Sequence, residues 1–154
     1  MGYLDLADRS WPVLNRVFGA HQAIYRASRG WVGKRIPGIG PPIVLVDHVG
    51  AKSGKKRTTA LLGIPVPDSA DDDYFIVASK GGYPKTPAWF YNLRANPETT
   101  MRIGREVRAV RAREAMGQER DRLYRAAIRL YRPYKTYQAR TDRTIPVVVL
   151  ERRT

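Results

Sequence analysis

Residues 78–97 read ASKGGYPKTPAWFYNLRANP, and the rest of the chain is understood from how this segment is read. The run ahead of it, Tyr74-Phe75-Ile76-Val77, has the aromatic and β-branched character of a strand leaving a core. Ser79 and Lys80 follow, then Gly81 and Gly82, which open backbone conformations closed to other residues. Pro84 and Pro87 stiffen the next positions, and Pro87 suits the first turn of a short helix over 87–95. That helix carries Trp89, Phe90, Tyr91 and Leu93, and Asn96-Pro97 ends it. A strand end, a hydroxyl, an ammonium, two glycines and an aromatic helix make a cradle for a flat, anionic ligand. A glycine-rich connection to a core-packing helix accounts for the same residues equally well.

Outward from this segment the pattern is that of strands. Thr99, Met101 and Ile103 alternate with Thr100 and Arg102, and Gly104-Arg105 turns the chain into a further strand over 106–115. Its alternation slips near Val110-Arg111, where a bulge is expected. On the other side, 43–49 is a β-branched strand, and 50–57, GAKSGKKR, turns into a second strand over 58–66. The turn invites a phosphate-loop reading, which fails. Three residues separate Gly50 from Gly54 where four are needed, and Lys56 stands where Ser or Thr would hold magnesium. What remains is a hairpin loop with two glycines, Ser53 and the cations Lys52, Lys55, Lys56 and Arg57, suited to a phosphate or carboxylate. The acidic turn 67–73, PDSADDD, leads into the strand 74–79.

Helices are expected at the margins. Over 10–29, Val13, Leu14, Val17, Phe18, His21, Ile24 and Tyr25 share one face, with Pro12 in the first turn and Gly30 as the stop. Basic residues flank Trp11 and Trp31, so this helix either packs on the domain or lies on a membrane surface. A Gly/Pro-rich connector over 31–42 follows. A second amphipathic helix over 118–130 has Leu123, Ala126, Ala127 and Leu130 as its expected buried stripe. Pro133 breaks or restarts it among Tyr131, Tyr134 and Tyr137, which can wall a pocket or cap the rim. The apolar run 145–150 is the closing strand. Hairpin-like connections and six or so antiparallel strands describe a mainly β, α+β small barrel. The chain is expected to be one domain, 1–154, with 1–35 as a helical leader.

Composition limits the chemistry. The 154 residues contain no Cys, and the two histidines, His21 and His48, lie in no triad or metal-ligand pattern. Twenty-eight Lys and Arg against 14 Asp and Glu leave a net charge of +14, which attracts polyanions: nucleic acid, an anionic membrane or a phosphorylated ligand. No apolar run approaches the ~20 residues of a bilayer span. No signal-peptide core is seen, so the expected location is the cytoplasm.

With these pieces placed, the chain resembles the deazaflavin-dependent nitroreductase family, split-β-barrel oxidoreductases that use reduced coenzyme F420. The likeness is carried, in order, by VGAKSGKKRTTAL (49–61), VASKGGYPKTPAWFYNLRANP (77–97) and YRPYKTYQARTDRTIPVVV (131–149). The resemblance implies that the coenzyme's phosphate and oligoglutamate tail lie against Lys52, Ser53, Lys55 and Arg57, with Thr58 beside them. It implies that the ring meets Ser79, Lys80, Gly81, Pro87, Ala88 and Trp89, with Asn92 near by. Tyr131, Tyr134 and Tyr137 would line an acceptor pocket for a quinone, enone or nitro-aromatic. Ser79, Tyr134 or Tyr137 would then assist proton transfer. Two departures from the family pattern are Ala51, where a basic residue is common, and Ala60, where a proline is common. FMN is the alternative cofactor. Other readings are a single-strand nucleic-acid-binding barrel and a non-catalytic carrier of F420, FMN or haem. Membrane contact is expected, if at all, through the first helix.

Overall fold

A computed structural model describes residues 41–153. The expected helix over 10–29, the leader 1–35 and the membrane contact assigned to them lie outside the described residues, as does most of the connector over 31–42. Seven strands, three helices and one short 3-10 turn make up the rest. They run β1 (Ile43–Val49), β2 (Lys56–Leu62), β3 (Ile64–Pro65), β4 (Tyr74–Val77), the 3-10 turn Lys80–Gly82, α1 (Ala88–Ala95), β5 (Glu98–Ile103), β6 (Glu106–Ala115), α2 (Gly117–Leu130), α3 (Pro133–Arg140) and β7 (Val147–Arg152). All strand pairs are antiparallel and join in the order β2-β1-β5-β6-β7-β4-β3.

The outermost strands of this sheet, β2 and β3, are neighbours in sequence. Only Gly63 separates Leu62 from Ile64, so the chain steps from one edge of the sheet to the other. The sheet therefore curls towards itself, which protects both edges. The single strand expected over 58–66 is thus two strands. Gly63 explains the break: its N–H donates to the Pro42 carbonyl at 2.9 Å, and a Cβ there would come within 2.5 Å of Val44 Cγ1. A larger residue at that crossing would have to displace Val44.

Both faces of the β4–β7 region are covered. Ile76, Val148 and Leu150 point into the curl, where they meet Val44, Met101 and the α1 residues Trp89, Phe90 and Leu93. Phe75, Val77, Val147 and Val149 point the other way and pack under α2 and α3, against Leu123, Tyr124, Ala127 and Tyr134. Strands buried on both faces read as continuous apolar runs, which is why YFIV and VVVL show no alternation. Three sequence expectations are corrected. The β6 register is continuous with β5 and β7, so there is no bulge at Val110-Arg111. The slip arises because Arg108 occupies an inward position, held by Asp72 and Glu106. Leu130 is exposed, and Tyr124 takes its place in the buried stripe of α2. The closing strand starts at Val147, two residues later than expected.

Candidate active site

β1 alternates: Val44 and Val46 face the core inside the curl, and His48 continues that row to the open end. Thr59 and Arg57, paired in register with Val46 and His48, share the face. There the β1–β2 turn and α1 enclose a cleft of about 830 Å³. Lys52, Ser53 and Arg57 line it from the hairpin, and Ala88, Trp89, Tyr91 and Asn92 from the helix.

The turn is closed tightly by its backbone. Gly50 donates to the Lys55 carbonyl and Gly54 to the Gly50 carbonyl, both at 2.9 Å, while Ser53 Oγ accepts from the Lys55 N–H at 3.2 Å. The side chains of Lys52, Lys55, Lys56 and Arg57 project outward from the turn. All four are exposed, and none has an ion-pair partner among the described residues. Such uncompensated like charge is relieved by an anion. Thr58, expected beside these cations, turns to the opposite face of β2 and donates to Asp47 Oδ1 at 2.6 Å.

Three polar side chains join the cleft walls. The Ala51 N–H donates to Asn92 Oδ1 at 2.9 Å, Asn92 Nδ2 lies 3.0 Å from His48 Nδ1, and His48 Nε2 lies 2.8 Å from Thr59 Oγ1. His48 and Asn92 are both buried. Loop, helix and hairpin are thereby tied at one place. Neither His48 nor Thr59 was singled out from sequence; the parity of His48 with Val44 and Val46 is the signal that identifies it.

The Ser79–Gly82 turn precedes α1 in the chain. Lys80, Gly81 and Gly82 all have positive φ, at 45°, 65° and 81°. This left-handed path is unfavourable for Lys80 and open to the two glycines. Arg143 brackets the turn from both sides: Nη2 donates to the carbonyls of Ser79 at 2.9 Å and Ala78 at 3.2 Å, and Nε to that of Tyr83 at 3.0 Å. Burial lowers the pKa of Arg143, and its Nη1 is buried without a hydrogen-bond partner among the described residues. Sequence reasoning placed TDRTIP within a family motif but assigned Arg143 no task.

Gly82 abuts α3, since a Cβ on it would sit 2.7 Å from the Tyr137 carbonyl oxygen. Pro133 does restart a helix, as its position suggests, and α3 brings the three tyrosines together. Ring centroids are 5.0 Å apart for Tyr131 and Tyr134, 5.9 Å for Tyr134 and Tyr137, and 6.3 Å for Tyr131 and Tyr137. The Tyr131 and Tyr137 hydroxyls are 3.2 Å apart. Tyr134 is buried in the core beneath α2, and burial raises its pKa far above the ordinary phenol range. The expected residues thus fall into two groups. One lines the cleft (Lys52, Ser53, Arg57, Ala88, Trp89, Asn92), with Lys55 in its turn. The other surrounds the turn and α3 (Ser79, Lys80, Gly81, Tyr131, Tyr134, Tyr137), and buried Pro87 caps α1 between them.

A half-closed antiparallel barrel with a cationic, aromatic-walled cleft at its open end has the form of the split-barrel oxidoreductases. The chain belongs to the F420H(2)-dependent quinone reductase family, whose model matches residues 17–152. It is 43% identical over 136 residues to an F420H(2)-dependent quinone reductase of Mycobacterium tuberculosis, covering 86% of this chain and 88% of that protein. Among solved structures, an F420-H2-dependent reductase superposes with a TM-score of 0.63 at 44% identity, over 71% of this chain and 94% of the other. HutZ, a haem storage protein of Vibrio cholerae, shares the fold alone. It has 9% identity and a TM-score of 0.53 over 73% of this chain and 82% of that one. The family of the sequence resemblance and the family that matches are both F420-dependent, and the matching one carries the quinone reductase name.

Proposed function

We propose that this protein reduces a quinone-type acceptor with reduced coenzyme F420, binding the coenzyme in the cleft between the β1–β2 turn and α1. The observation that carries the reading is the exposed cationic set Lys52, Lys55 and Arg57 set against the apolar wall of Ala88 and Trp89. These residues fit a flat ring joined to a phosphorylated, carboxylate-bearing tail. When bound, the reduced deazaflavin supplies a hydride, so the protein's tasks are binding, orientation and exclusion of water. Lys52, Ser53, Lys55 and Arg57 hold the anionic part, with Thr58 supporting the hairpin from its far face through Asp47. Ala88, Trp89 and Asn92 meet the ring side together with Ser79, Lys80, Gly81 and Pro87.

Tyr131 and Tyr137 present paired hydroxyls to the acceptor, and Tyr134 packs behind them. Ser79 or Tyr137 donates the proton that accompanies the hydride. The acceptor class extends to enones and nitro-aromatics, whose oxygens accept a hydrogen bond in the same way. Contact with an anionic membrane suits a quinone acceptor and the basic charge of the chain.

The test is a fluorescence titration with oxidised F420 beside FMN at two salt concentrations, followed by steady-state turnover of F420H2 with a soluble quinone. Selective, salt-weakened F420 binding with quinone-dependent oxidation is the expected result. Binding of FMN in preference would move the protein to another cofactor, and binding without turnover would make it a carrier.

A further inference from the structure

The polar chain across the cleft has a direction. A backbone N–H can only donate, so the atom of Asn92 facing Ala51 at 2.9 Å must be the amide oxygen. The amide nitrogen then faces His48 Nδ1 at 3.0 Å, and that ring nitrogen must accept. A neutral imidazole that accepts at Nδ1 carries its proton at Nε2, which therefore donates to Thr59 Oγ1 at 2.8 Å. The Thr59 hydroxyl already accepts, and its proton has no acceptor among the described residues. Thr59 lines the cleft.

We propose that Thr59 is a hydrogen-bond donor to the ligand of the cleft, its proton left available by the one-way chain Ala51 to Asn92 to His48, and that it meets an oxygen acceptor of that ligand. His48 and Asn92 are positioning residues in this scheme: they set the polarity of Thr59 from behind. The inference rests on the cleft being the coenzyme site, where a deazaflavin offers oxygens of this type as ring carbonyls and as phosphoryl oxygens. It gives the cleft a specificity element separate from the cationic turn. A ligand with no acceptor at this place leaves the Thr59 proton unused and loses one hydrogen bond.

Two measurements test it. The first is the side-chain 15N spectrum of the histidines in the free protein at neutral pH, with His48 assigned through His48→Gln. The expected result is protonated Nε2 and bare Nδ1; an Nδ1–H tautomer or a doubly protonated ring overturns the proposal. The second is F420 titration of wild type, Thr59→Val and Thr59→Ser, each with its melting temperature. The valine variant is expected to bind about tenfold more weakly, and the serine variant to return within about threefold of wild type. Wild type that binds F420 while Thr59→Val binds equally well overturns this inference and leaves the cofactor site standing. Wild type that does not bind F420 overturns both. Repeating the valine titration with a deazaflavin riboside lacking the phosphate identifies the oxygen: a persisting loss means a ring carbonyl, and a vanished one means a phosphoryl oxygen.

Discussion

Arg143 Nη2 donates to the Ser79 carbonyl at 2.9 Å across 64 residues of chain. The bond, with its companions to Ala78 and Tyr83, holds a backbone turn in which Lys80 takes a left-handed conformation unfavourable for a residue with a side chain. A planar fork of donors suits this task, since several carbonyls converge on one guanidinium. Strain at the Ser79–Gly82 turn is thus offset from the loop before β7.

Replacing Arg143 by Gln should therefore lower the unfolding free energy by about 2 kcal/mol, the order expected for hydrogen bonds to a charged group. Lys should recover less than half, because a single ammonium cannot span the three carbonyls. Urea midpoints measure this, and an unchanged midpoint in the Gln variant would remove Arg143 as the clamp.

Gly82 and Gly54 separate conformational cost from close approach. Both have positive φ, 81° and 68°, but a Cβ on Gly82 meets the Tyr137 carbonyl oxygen at 2.7 Å while one on Gly54 meets nothing within 4 Å. Gly54→Ala should cost about 1 kcal/mol from backbone conformation alone. Gly82→Ala should cost visibly more and displace α3, raising KM for the acceptor. Equal losses in thermal unfolding would refute the tight contact between turn and helix.

The exposed cations predict the opposite signature: a change in binding with no change in stability. Lys52→Ala and Arg57→Ala should each weaken F420 binding about tenfold and flatten its salt dependence. Their unfolding free energies should stay within about 0.5 kcal/mol of wild type. Undiminished salt dependence in both variants would remove these residues from the anion site.

Buried tyrosines make the fold sensitive to alkali. Burial pushes the Tyr124 phenol up to about 12, against the opposing pull of Arg120 and Arg143. The raised folded value means the native state holds the proton where the unfolded chain has lost it. The associated stability is therefore complete below the ordinary tyrosine value near 10 and is lost as pH rises from there towards 12. Tyr124→Phe should show a shallower fall in urea midpoint over that window than wild type. Parallel falls would show that Tyr124 contributes none of the alkaline loss.

Family and fold class were legible in local pattern. Strand 43–49, the short aromatic helix and the run through 74–77 depend on β-branched residues, Pro87 and Asn96-Pro97, whose effects are exerted within a few residues. The cationic turn after β1 was equally visible, because charge and glycine spacing need no partner to be read. The break at Gly63, by contrast, depends on Val44, nineteen positions earlier in the chain, passing where a Cβ would sit. The directed chain from Ala51 to Thr59 exists only once α1 is laid across the β1–β2 hairpin, bringing Asn92 to His48 over 44 residues. Arg143 likewise reads as one more surface cation until β4 and the loop before β7 bring it under the Ser79 turn. The tyrosines before β7 read as a set, but only packing decided that Tyr134 is buried while Tyr131 and Tyr137 pair their hydroxyls. Local chemistry is written in neighbouring residues. Which hydroxyl faces the cleft, and with what polarity, is set by partners that only the closed barrel brings together.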